Sequence, residues 1–413
     1  MQKKVFVNIR QLVQVRPIGF DKVAGKDMNE LPVINDAFLI TDGDRIVDYG
    51  KMNDFKSKAY ENFIDLAERI VLPSWCDSHT HIVFAENRSL EFRDKIKGKS
   101  YEQIAENGGG ILSSVNSLRK TNKKSLLKQS LERVKSVQKL GTGAIEIKSG
   151  YGLNLDNELK MLHVIKEIKS RCNLGIKSTF LGAHAIPKEF GDNKSAYINL
   201  IINKMMPIIK SKKLADFTDI FCEKGYFNLK ETELILSAAK SLGFKIKIHV
   251  NQFNSFGGVK LAIKYNARSV DHLEHISNTD IKKIKKSKTM PVLLPGCSFY
   301  LGMEYAPARK LIDSGLPVAI ATDFNPGSSP SGNMNLVISL ACIKMKMSPE
   351  ESINAATING AYAMDLEKEF GSITVGKKAN LIITKKMNSF DEIPYYFGDN
   401  PVYKTVLNGV MSS

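Results

Sequence analysis

The sequence predicts an α/β protein: a (β/α)8 TIM-type barrel carrying a small β-sandwich domain built from both termini. From about residue 70 onward, β-rich runs alternate with amphipathic stretches of helix length, the pattern of a parallel sheet wrapped by helices. Eight such runs occur in the central part of the chain. Polar residues also gather at the C-terminal ends of the runs, where barrels of this kind keep their chemistry.

Taken in order, Val5 to Ile9 and Asp36 to Ile40 alternate apolar and polar residues, as do Leu381 to Thr384 and Val402 to Leu407 near the other end. Residues 1–68 and 371–413 are therefore expected to form the composite β domain, and residues 69–370 the barrel. The expected barrel strands run Arg69 to Ile82, Ala144 to Ser149, Ile176 to Ala185, Phe217 to Glu223, Lys245 to Gln252, Ser269 to His275, Met290 to Pro295 and Pro317 to Asn325. Between them, stretches such as Asn157 to Arg171 and Lys230 to Leu242 place apolar residues three and four apart and end in basic residues or glycine.

Composition narrows the class. With 413 residues, 43% of them hydrophobic and 25% charged, the chain has enough apolar content for one large domain and a smaller one, and disorder is excluded. The first ten residues lack the apolar stretch and cleavage site of a signal peptide, and no apolar run is long enough to span a bilayer. A cytoplasmic protein without a membrane partner is expected. Five scattered cysteines with no C-x-x-C pair argue against a disulfide framework or a thiolate zinc site.

The net charge of +16 raises the question of nucleic acid, and Ile281 to Lys288 is the densest basic run. Ile281 and Ile284 punctuate that run at helical spacing, as on a solvated helix face, and the other lysines are spread along the chain. No nucleic-acid partner is expected. The positive field favours anionic small substrates.

His79 and His81 stand two apart at the end of an apolar run, where a strand carries both imidazoles on one face. Imidazole is the commonest metal ligand. His184, His249, His272 and His275 also follow short β-rich runs. Asp323 ends the eighth run, which neighbours the first when the barrel closes, so it can face His79 and His81. With His249 this gives three imidazoles and one carboxylate with room for a water, an open catalytic site rather than a closed structural one. A metal there would bring a bound water's pKa to roughly neutral. His272 is placed to hydrogen-bond that water or a developing oxyanion, and Asp323 to take a proton as well as hold the metal.

Further strings carry a resemblance: Glu91 to Arg93, Gly108 to Ile111, Glu146 to Leu153, Thr179 to Ala185, Phe221 to Glu223, Asp271 to Glu274, Leu294 to Gly296, Ala321 to Ser328, and the tail Gly371 to Leu381. Along nearly its whole length the chain resembles the imidazolonepropionase family of the amidohydrolase superfamily. The resemblance implies a hydrolase of cyclic amides that opens 4-imidazolone-5-propanoate with water to give N-formimidoyl-L-glutamate in histidine degradation. It further implies that Arg88 clamps the propanoate carboxylate, a task suited to a guanidinium fork. Tyr151, His184, Gln252, Asn325, Gly327 and Ser328 would bind substrate, Gly327 and Ser328 partly through backbone groups.

Gln252 stands where the family has Glu or Gln, and an amide cannot act as a base. Proton transfer is therefore expected of Asp323 and His272, with Gln252 orienting the ring. A lysine at the end of strand four would permit a carbamate bridging two metals, but Phe221 to Glu223 occupies that place, so one metal ion is expected. Three imidazoles and a carboxylate accept Zn2+ and Fe2+/Fe3+ alike. The resemblance also implies a homodimer. Another cyclic amidohydrolase or a deaminase on the same barrel is the alternative, since fold does not fix substrate.

Overall fold

The protein is described from a computed structural model, which covers residues 3–56, 62–99, 103 and 109–412. Gly108 of the quoted strings lies outside these residues. In chain order the strands are β1 (Lys4–Val13), β2 (Val33–Asp42), β3 (Arg45–Lys51), β4 (Phe63–Asp65), β5 (Ile70–Pro73), β6 (Trp75–Asp77), β7 (Thr142–Lys148) and β8 (Gly175–Ala183). They continue with β9 (Phe217–Cys222), β10 (Lys245–Val250), β11 (Ser269–His272), β12 (Met290–Leu293), β13 (Ala319–Ile320), β14 (Leu381–Thr384), β15 (Val402–Leu407) and β16 (Val410–Met411).

Strands β6 to β13 pair in chain order, each parallel to the next, which is the sheet of the expected barrel. The ring closes through a parallel bridge between Thr80 and Phe324. Its hydrogen bonds run from Asp323 N to His79 O (3.0 Å) and from His81 N to Phe324 O (2.9 Å). Barrel closure thus brings Asp323 beside the two histidines, as the sequence suggested.

The remaining strands form one continuous mixed sheet in the order β16-β15-β14-β5-β1-β2-β3, with β4 also on β1. Its inward side chains, among them Phe6, Ile9, Leu12, Leu39, Val71, Leu381 and Val406, share one core. β1 shifts register between Phe6 and Ile9, where Asn8 takes a φ of 54°. β4 pairs with the part before that irregularity and β5 with the part after it.

One expected strand is corrected. Arg69 to Ile82 reads as a single barrel strand, yet Ile70–Pro73 belongs to the terminal sheet, where Leu72 pairs with Ile382 and Val71 with Leu12. The chain changes sheets at Ser74, whose N–H bonds Asn380 O (2.9 Å) while Trp75 N–H bonds Gly141 O (2.9 Å). The segment is buried in both sheets, so its unbroken apolar pattern contains no mark of the crossing. Val23 and Met28 likewise join the barrel core, held there by Asn359 and Asn354.

The helix Asn278–Lys285 buries Ile281 and Ile284 and turns its lysines outward, as expected of a solvated face. Among the described residues no helix is long and apolar enough to cross a membrane.

Candidate metal centre and active site

The imidazoles of His79, His81 and His249 converge at the C-terminal mouth of the barrel. Nε2 of His81 lies 3.3 Å from Nε2 of His79 and 3.4 Å from Nε2 of His249. All three side chains are buried, and their ligating atoms lie within 4.8 Å of one another. Oδ1 of Asp323 stands 3.5 Å from Nε2 of both His79 and His81.

Three ring nitrogens facing one another cannot all be satisfied by protons, whereas lone pairs directed to one cation can. The outer nitrogens support that arrangement. Asp271 Oδ2 lies 2.6 Å from His79 Nδ1 and can accept its N–H, which leaves Nε2 of that ring as donor to a metal, and the Asp219 carboxylate lies 2.9 Å from His249 Nδ1. Burial, reinforced by Lys148, holds His79 well below its ordinary pKa; burial and neighbouring imidazoles do the same for His81. Burial takes His249 down to about 4 despite Asp219. Neutral imidazoles are the form that binds metal. The donor set fits a single ion.

Below the ligands lies a charged cluster that the sequence reading did not single out. Lys148 Nζ bonds Glu146 Oε1 (2.8 Å) and Asp219 Oδ2 (2.7 Å), and Lys247 Nζ bonds Ser78 O (2.6 Å) and Glu146. Asp271 lies 3.8 Å from Lys148 and 3.6 Å from Lys247, and all five charged side chains are fully buried. The signal was available: Lys247 precedes His249 by two residues, and alternation along β10 puts both on the inner face.

Above the ligands a pocket is lined by His81, Arg88, Tyr151, His184, His249, Gln252, His272, Asp323, Asn325 and Ser328. Ten of the residues singled out from sequence thus meet on one cavity, with His79 and Gly327 beside it. Ile111, Phe221, Tyr226, Phe253 and Leu301 complete the walls. His275 is not among the lining residues; its N–H bonds Asn251 O (3.0 Å).

His184 stacks on His81 at 5.2 Å, and its Nδ1 lies 3.0 Å from Gly150 O. Tyr151 leans on His184 at 5.4 Å. Gln252 Nε2 lies 3.6 Å from Cys297 Sγ. Asn325 organises the last loop, its Oδ1 accepting from Gly327 N (2.8 Å) and Ser328 N (2.7 Å). These two N–H groups are therefore already engaged. A Cβ on Gly327 would lie 2.0 Å from Arg88 Nη1, so glycine is what lets the guanidinium reach this position. Arg88 Nε donates to Glu91 Oε2 at 2.7 Å, a partner not assigned from sequence although Glu91 opens one of the family strings.

Strain marks the same strand ends. His272 has a φ of 90°, Asn251 61° and Asp323 52°, a left-handed conformation uncommon for residues other than glycine. Burial opposes charge on His272, yet Glu274, Asp323 and Asp271 together raise its pKa. Burial pushes the Asp323 carboxyl up to about 6. His272 and Asp323 thus face one cavity with both pKa values shifted upward.

Comparison with known proteins agrees with this geometry. Residues 70–411 match the model of the Amidohydrolase family. Imidazolonepropionase from Christiangramia forsetii is 57% identical over 97% of this chain and 98% of its own length, and that from Flavobacterium johnsoniae is 55% identical over the same shares. Among solved structures, a triazine hydrolase variant superposes with a TM-score of 0.78 at 14% identity, covering 100% of this chain and 94% of that one. A guanine deaminase from C. acetobutylicum gives 0.75 at 16% identity, covering 100% of both chains. These two likenesses concern the fold. Family and buried imidazoles together point to a divalent metal. The chain belongs to the amidohydrolase family and, within it, to the imidazolonepropionases.

Proposed function

We propose that the protein hydrolyses the ring amide of 4-imidazolone-5-propanoate to N-formimidoyl-L-glutamate, with His79, His81, His249 and Asp323 as the ligands of one metal ion. The observation that carries this reading is the placement, at one pocket, of three convergent imidazoles and an arginine whose side chain is largely withdrawn from solvent. Arg88 is only 7% exposed. A bound divalent ion supplies a water of near-neutral pKa and polarises a carbonyl.

The remaining work falls to side chains. Asp323 takes the proton of the attacking water and returns it to the ring nitrogen as the C–N bond breaks. His272 donates to the carbonyl oxygen as negative charge develops there. Arg88 receives the propanoate, Tyr151 and His184 hold the ring, and Gln252, Asn325, Gly327 and Ser328 complete the fit. Asn325 and Gly327 contribute by shaping the loop against Arg88.

Zinc or iron satisfies this donor set, and elemental analysis of the purified protein distinguishes them. A cytoplasmic homodimer that binds neither nucleic acid nor membrane belongs to the same reading; light scattering tests the dimer. The reaction itself is tested by incubating the protein with freshly generated substrate and identifying the product by mass spectrometry. Formimidoylglutamate is expected; release of ammonia without ring opening would point to a deaminase instead.

A further inference from the structure

Arg88 is not a free cation. Its Nε lies 2.7 Å from Glu91 Oε2, and the two side chains are 7% and 16% exposed. Glu91 Oε2 also accepts from Gly110 N at 3.2 Å, so the carboxylate is tied into the wall. The pair is electrically neutral. A substrate carboxylate docking on it would leave one uncompensated negative charge in a largely buried site, which is costly unless another cation is near.

Lys95 stands one turn beyond Glu91 on the same helix, Ser89–Ile96. Its Nζ lies 3.4 Å from the carbonyl oxygen of Gly327, the residue whose Cα faces the Arg88 guanidinium. The ammonium is also held 4.6 Å above the ring of Tyr300, which stacks on Phe92 of the same helix. Lys95 is half-buried, and it has no carboxylate within ion-pair distance among the described residues. Burial and the neighbouring Arg88 take its pKa down to about 8.

The geometry points to Lys95 as the second cation of the carboxylate subsite: Arg88, paired with Glu91, sets direction, and Lys95 supplies the charge that balances the substrate's propanoate. This rests on the function proposed above. It makes Lys95 a specificity residue, selecting substrates with an anionic tail over neutral ring amides.

The test compares wild type, Lys95→Met and Lys95→Arg on 4-imidazolone-5-propanoate and on its neutral propanamide analogue, with KM and kcat measured separately. Lys95→Met is expected to raise KM for the carboxylate substrate about 10-fold with little change in kcat, as for loss of an interaction common to ground and transition states. Its kcat/KM for the propanamide should stay near that of wild type, and Lys95→Arg should restore most of the loss. An unchanged KM, or equal losses on both substrates, would overturn the assignment while leaving the reaction intact. A wild type that turns over neither substrate would overturn both readings.

Discussion

Oδ2 of Asp271 lies 2.6 Å from Nδ1 of His79, with both side chains fully buried. This contact joins the ligand set to the charged cluster beneath it, since Asp271 also neighbours Lys148 and Lys247. The orientation of the His79 imidazole is thereby fixed by a buried carboxylate that itself lies between two buried lysines.

Lys148→Met should destabilise the protein by about 3–5 kcal/mol, the usual cost of leaving a buried charge without its partner. The variant removes the ammonium shared by Glu146 and Asp219, each within 2.8 Å of it, and leaves Lys247 as the one lysine among three buried carboxylates. Urea unfolding of both proteins at one pH measures the difference. A loss below about 1 kcal/mol would mean that the cluster relaxes or takes up a proton on its own.

His79→Ala should abolish bound metal and activity together, because it removes one of the three convergent imidazoles. Elemental analysis after gel filtration reads the first and turnover the second. Stoichiometric metal in an active variant would contradict the ligand assignment.

His272→Ala should keep its metal, since its ring is not one of the three that converge, and lose at least about 100-fold in kcat, the scale expected for a positioned proton donor. Near-normal turnover with metal bound would remove His272 from the mechanism.

Gly327→Ala should act through Arg88. The added methyl would occupy the place of the guanidinium, 2.0 Å from Nη1, so the arginine must swing away. A rise in KM of about 10-fold or more is expected, close to that of Arg88→Met. The double variant should be little worse than either single one, as for two changes that break one interaction. Additive losses would separate the two residues.

Much of this was legible in the sequence because it rests on alternation. His79 and His81 share a face by being two apart, and Asp323 reaches them because an eighth parallel strand must close on the first. What was not legible depends on neighbours distant in the chain. Nothing in Ile70 to Asp77 marks the switch of sheets, because that switch is set by Asn380 and Gly141. Lys148 and Lys247 resemble ordinary lysines of a lysine-rich chain until Glu146, Asp219 and Asp271 are placed around them. Strand alternation puts both inside the barrel; that a buried lysine is tolerable there depends on contacts between strands.

The most direct test of the account follows the ring absorbance of 4-imidazolone-5-propanoate with the purified protein as isolated, after exhaustive chelation, and after restoring zinc or iron(II). Turnover is expected to vanish with the metal and to return with it, in proportion to the metal bound. Full activity in the chelated, metal-free protein would contradict a metal-dependent hydrolysis at His79, His81, His249 and Asp323.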